Sequence, residues 1–152
     1  MPDEPTMRTL GIDYGDRRIG LAISDPEGRL AVPLTTLERR DNRHAVRRIA
    51  ALAASERVEA LVIGEPRGLD GSRGPAAERA VAFGRRLAAA TGLPLHTVDE
   101  ALTSVEAEER LAAAGVDPRQ HPERVDSVAA QILLQDALDL GIQPPPSPEA
   151  LE

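Results

Sequence analysis

Residues 8–24 alternate apolar and polar side chains around a break at Gly15-Asp16, and this stretch constrains the fold more than any other. Period-two alternation is the signature of a half-buried strand. Two such runs separated by a tight break form an antiparallel hairpin. Within it, the run GIDYGDRRIG sets Asp13 where the first apolar stretch ends and follows it with Arg17 and Arg18. Tips and turns on a rigid scaffold are where functional groups concentrate. Glycines let a phosphate approach the backbone, and arginine forks bind it in bidentate fashion. Taken alone, Asp13 and Asp16 also suit simple turn formers that bond their own backbone.

The pattern continues beyond the hairpin. Pro26-Glu27-Gly28 marks a turn and residues 30–37 a third strand, so the chain opens as an antiparallel meander. Asp41-Asn42 caps a helix of about 14 residues with Ala45, Val46, Ile49, Ala50 and Ala53 on one face. Residues 58–64 read as a buried strand, followed by the loop EPRGLDGSRGP. Pro75 opens a helix that stops before Gly92, and residues 93–98 form a fifth strand. Thr103 to Glu106 reads as a capping box for a short helix ended by Gly115, and Pro122 opens a last helix to about Leu140. The order βββαβαβαα, with right-handed crossovers between parallel strands, predicts an α/β fold of ribonuclease-H-like outline. Its mixed five-stranded sheet is flanked by helices. The expected domain spans 8–140, with a disordered N-terminus (1–7) and a disordered Pro-rich tail (141–152).

Composition narrows the function. The 152 residues suffice for about one domain, and no cysteine is present for disulfides or thiolate metal sites. No run approaches the ~18 apolar residues of a membrane span, and the acidic N-terminus has no apolar signal core. A cytoplasmic protein is expected. All 18 basic residues are arginine. The net charge of −7 argues against a nucleic-acid partner at first sight, but it is unevenly spread. Residues 8–48 hold nine arginines against six acids, whereas residues 49–152 hold nine against seventeen. Tyr14 and Phe83 are the only aromatics, so a platform stacking successive bases is excluded. A nucleic acid bound here is held by its backbone.

Four acids fall at element ends that converge on one sheet edge: Asp13, Glu65, Glu100 and Asp126. Adjacent strands lie roughly 4.8 Å apart, so Asp13 and Glu65 are expected to share an ion if their strands are neighbours. Glu100 starts roughly 10 Å away and must reach inward. Asp126 heads the helix face bearing Ala129, Ala130, Leu133 and Ala137, where an uncompensated acid is costly. Mg²⁺ or Mn²⁺ held by carboxylates compensates it and supports phosphodiester hydrolysis. Ser72 and Arg73, in the loop before the Pro75 helix, are placed to grip a phosphate. Each acid alone has an ordinary reading as a turn former, surface ion pair or helix-dipole partner.

Four motifs in order carry a resemblance: GIDYG-x-x-R-IG, VIGEP with DGSRG, DEALTS-x-EA, and VDSVAAQILLQ. They resemble the RuvX/YqgF family of Holliday-junction-resolvase-like proteins, also called pre-16S rRNA nucleases, over residues 8–140. The resemblance implies a ribonuclease-H-like nuclease with a divalent-metal site, linked to 16S rRNA 5′-end processing. Carried over by motif, it implies Asp13, Glu100 and Asp126 as metal ligands. Arg17 or Arg18, Ser72, Thr103 and Arg124 fall where the family places polar or basic contacts. Ala101 stands where the family usually has an arginine. Glu65 stands where it commonly has an apolar residue, and is expected here as a further catalytic acid and metal ligand.

Other readings compete. One is a resolvase-type nuclease for branched or single-stranded DNA, as a monomer or a two-fold homodimer. Another is a non-catalytic nucleic-acid-binding ribosome-assembly factor, and a third is a kinase of actin-like fold. The last needs two such domains around its nucleotide, and the chain has room for about one.

Overall fold

The computed structural model describes residues 7–68, 70–100 and 103–141. The expected tails at 1–6 and 142–152, and Ala101, lie outside the described residues. Nine elements follow the predicted order: β1 (Thr9–Tyr14), β2 (Arg18–Ser24), β3 (Ala31–Glu38), α1 (Asn42–Ser55) and β4 (Ala60–Pro66), then α2 (Pro75–Thr91), β5 (Leu95–Glu100), α3 (Thr103–Ala113) and α4 (Pro122–Leu140). The strands form one sheet in the order β3-β2-β1-β4-β5. β1, β2 and β3 pair antiparallel, whereas β4 pairs parallel with both β1 and β5. Because β1, β4 and β5 run the same way, their C-terminal ends share one edge.

Side-chain alternation divides the sheet into two unlike faces. One carries Leu10, Ile12, Ile19, Leu21, Leu61 and Ile63, packed under Ile49 of α1 and Phe83 and Leu87 of α2. Tyr14 stacks on Phe83 with ring centroids 4.5 Å apart, so the two aromatics close this core together. The other face, under α4, holds smaller residues: Ala22, Ala31 and Val62 against Ala130, Leu133, Leu134 and Ala137. α3 lies on α4 through Ala107, Leu111, Val125, Ala129 and Ile132.

Local signals place the helices. Asp41 accepts the His44 backbone N–H at 2.7 Å and caps α1, as its sequence predicts. Gly92 ends α2 in the left-handed conformation with φ 74°. β3 is an edge strand with a register shift opposite Leu21/Ala22, and it accommodates Pro33 there.

Two strands run later than their sequence signals suggest. β4 and β5 continue in register through Glu65↔Asp99 and Pro66↔Glu100, two residues beyond the expected ends. The missing side chain of Gly64 makes room for a neighbour, and the ladder passes through it.

Candidate metal-carboxylate site

Asp13 closes β1 on the α4 face, opposite Gly20 in the β1–β2 ladder. A side chain on Gly20 would overlap the Asp126 backbone carbonyl, so this glycine lets the first turn of α4 settle directly on the sheet. Asp126 thereby arrives beside Asp13. On the far side, a Cβ on Gly64 would lie 2.6 Å from Glu100 Oε2. The bare backbone of β4 is the passage by which Glu100 reaches inward from β5, across the gap that strand spacing alone leaves open. Two strand glycines, one on each flank of β1, thus bring three acids from three elements together.

The electrostatics reflect that convergence. The Asp13 carboxyl is held well above the ordinary carboxylate range, first by burial, then by the Glu100 charge and a carboxyl–carboxyl hydrogen bond with Glu100, and last by the Asp126 charge. Thr103 Oγ1 donates to Glu100 Oε1 at 2.6 Å and fixes that carboxylate. Thr103 is itself buried, and it begins α3 with its hydroxyl committed to Glu100 instead of to the capping box. Asp126 turns to Arg18, whose Nε donates to Oδ2 at 2.5 Å. A cleft of about 300 Å³ opens beside this pair, lined also by Ser104, Glu108 and Arg119.

The donor set is carboxylate oxygen, the chemistry that Mg²⁺ and Mn²⁺ prefer. Among the described residues, no three acid or imidazole side chains already stand as a closed cage. One of the three carboxylates, Asp126, is paired with the Arg18 guanidinium. The all-oxygen donor set and the like-charged crowding of Asp13 by Glu100 and Asp126 fit a divalent ion.

The other expected residues separate into two groups. Glu65 does not join the acids. It follows Gly64 in β4, so alternation sends its side chain to the opposite face. There it is buried, with Arg73 Nε at 2.6 Å and an Arg67 Nη at 3.6 Å. Arg67 in turn donates to Asp99 at 2.8 Å. The expectation that Glu65 is a metal ligand is therefore corrected: parity within the strand makes it an anchor for the 67–73 loop. Ser72 is exposed beside this anchor, its backbone N–H bonded to Asp70. Arg17 and Arg124 are exposed near the hairpin tip and the first turn of α4.

Sequence reasoning missed Arg119 and Ser104, which only the α3–α4 packing brings to the cleft. It also read Gly20 and Gly64 without their role. Glycine inside a strand is a signal for close approach and would have marked both.

The sequence profile of the RuvX family, described as Holliday junction resolvase, matches residues 7–140. A protein of Syntrophus aciditrophicus named "Putative pre-16S rRNA nuclease" is 48% identical over 133 residues, covering 88% of this chain and 89% of the relative. One of Chloroflexus aggregans with the same name is 46% identical over 130 residues, covering 86% and 92%. Among solved structures, T. thermophilus RuvC in complex with Holliday junction substrate superposes with a TM-score of 0.58 at 19% identity, covering 92% of this chain and 99% of that one. That likeness establishes the ribonuclease-H-like fold of the resolvases. With the profile spanning nearly all described elements and relatives close to half identical, this chain belongs to the RuvX family.

Proposed function

We propose that this protein is a divalent-metal-dependent nuclease that hydrolyses phosphodiester bonds in the 16S rRNA precursor, in the cytoplasm. The observation that carries this reading is the Asp13 carboxyl, wedged between Glu100 and Asp126 and pushed well above its ordinary pKa. Such a cluster is costly to hold unless a cation relieves it. The names of the relatives support the substrate.

The chain's own residues divide the work. Asp13, Glu100 and Asp126 would hold Mg²⁺ or Mn²⁺. Bound there, an ion would supply charge to activate a water and to stabilise the leaving oxygen. Thr103 keeps the Glu100 carboxylate oriented through its 2.6 Å hydrogen bond. Arg18 pairs with Asp126 through Nε and offers the rest of its guanidinium fork to a backbone phosphate. Arg17, Ser72, Arg73 and Arg124 offer further phosphate contacts around the edge.

The test is cleavage of a 16S precursor RNA, a linear DNA and a four-way DNA junction, side by side, with Mg²⁺, Mn²⁺ or chelator. Metal-dependent cleavage of the RNA is expected. Asp13→Asn should lower it by about 10²–10³-fold, the scale for deleting one preorganised charged group. Equal activity of the variant and wild type would reject the site. Preference for the junction would reject the substrate.

A further inference from the structure

We propose that the arginine-bearing face of α1 is a docking track for the sugar-phosphate backbone of the substrate outside the cleavage site. This rests on the nuclease reading above and extends it to a surface remote from the acids. Residues 39–55 contain five arginines and one acid, Asp41, in a chain of net charge −7. Asp41 is spent on the helix cap. Arg39 is spent as well: its guanidinium donates to the Asp16 carbonyl at 2.7 Å and to the Tyr14 hydroxyl at 2.7 Å. Arg40, Arg43, Arg47 and Arg48 remain, all exposed.

Among the described residues six arginines pair with acids, as at Arg8–Glu56, Arg67–Asp99 and Arg119–Asp117, and the unpaired ones gather most densely at residues 40–48. Among the described residues, none of these four has a carboxylate within ion-pair distance, although acids outnumber arginines by 25 to 18. A helix face that serves only solubility interleaves both signs. Here α1 contains no acid at all.

Position supports the same partner. α1 starts at the sheet edge where Asp13 lies, because Arg18 pairs with Glu38 across β2–β3 and the Arg39 N–H donates to the Arg17 carbonyl. From Arg43 to Arg48 the track runs about 7–8 Å along the helix axis, and Arg40 extends it just before the Asp41 cap. A cleft of about 330 Å³ lies beside it between β3 and α1, where Thr35, Thr36, Arg40, His44 and Arg48 outweigh the single acid Glu38. Hydroxyls and guanidinium forks suit phosphate. The track therefore holds a strand by charge, whatever its sequence.

The experiment measures binding of a fluorescein-labelled RNA spanning the 5′ end of the 16S precursor, by anisotropy across a salt series in chelator. The test variant is R43Q/R47Q/R48Q, and the charge-matched control is R29Q/R57Q/R86Q, drawn from exposed arginines away from the track. The test variant should flatten the slope of log K against log salt by about 2, since each single-strand phosphate contact contributes about 0.7. The control should leave the slope unchanged. R43K/R47K/R48K should restore it, which separates lost charge from damaged folding. Equal slopes for both glutamine variants, with wild type still cleaving the RNA in Mn²⁺, would overturn the track and leave the nuclease reading standing. A wild-type protein that neither binds nor cleaves this RNA would overturn both.

Discussion

The two faces of the sheet are built from the same strands and do opposite jobs. Under α1 and α2, Leu10, Ile12, Ile19, Leu61 and Ile63 meet Ile49, Phe83 and Leu87, all fully or nearly fully buried. Under α4, glycine and alanine replace most of that bulk, and the helix backbone descends onto Gly20. Large aliphatic side chains hold elements 8–10 Å apart and fill the gap with favourable burial. Small residues forgo that burial and allow backbones to touch. The comparison teaches that the site is made by removing side chains. Three carboxylates of like charge come together because the residues between them have no bulk to keep them apart.

Substitutions on each face sharpen that contrast. Phe83→Ala should have the largest effect on stability, a loss of about 3–5 kcal/mol in urea unfolding. The folded fraction should nevertheless bind Mn²⁺ as wild type does, measured by calorimetry. A parallel loss of metal affinity would break the division between the faces. Gly20→Ala adds one methyl group on the other face and should cost about 1–3 kcal/mol by overpacking. Here metal affinity should fall with it, because α4 and Asp126 are pushed from Asp13. Glu65→Gln should cost about 1–3 kcal/mol by removing the buried charge that holds Arg73 and Arg67. Its Mn²⁺ affinity should remain that of wild type, whereas a Glu65 that ligates metal would lose it.

The smallest effect is a pH dependence. In the folded chain the Asp13 carboxyl titrates above its unfolded value, so the native state binds more protons between the two. The Asp13 contribution to the stability of the metal-free protein is then fully present below the ordinary carboxylate range and is lost as pH rises through the elevated native value. Asp13→Asn should remove that decline and raise the metal-free Tm at neutral pH, read by calorimetric scans from acid to neutral. An unchanged pH profile would mean that Asp13 ionises without strain.

Much of this was legible in the sequence. Period-two runs, the Asp41 cap, Pro75, Gly92 and Pro122 gave every element in order, since each is a local signal that tertiary packing reinforced. Asp13 and Glu100 could be expected on one edge because β1 and β5 run the same way, and Asp126 because it heads the α4 face that packs on the sheet. Glu65 was misplaced for a specific reason. An end-of-strand position implies an edge, and only the two-residue extension of β4 fixes which face the side chain meets. With period two, a single residue decides that. Arg119 and Ser104 were hidden because their approach depends on how α3 lies on α4, a long-range packing choice with no local signature.

Sheet order has a consequence for how the site comes apart. β1 is paired on both sides, by β2 and β4, whereas β5 is an edge strand with one neighbour. Edge elements open at lower free energy than central ones. Under mild denaturant, Glu100 should therefore be released while Asp13 is still locked in the sheet. Function is lost before the fold, and amide exchange in β5 should run ahead of that in β1 by the same margin.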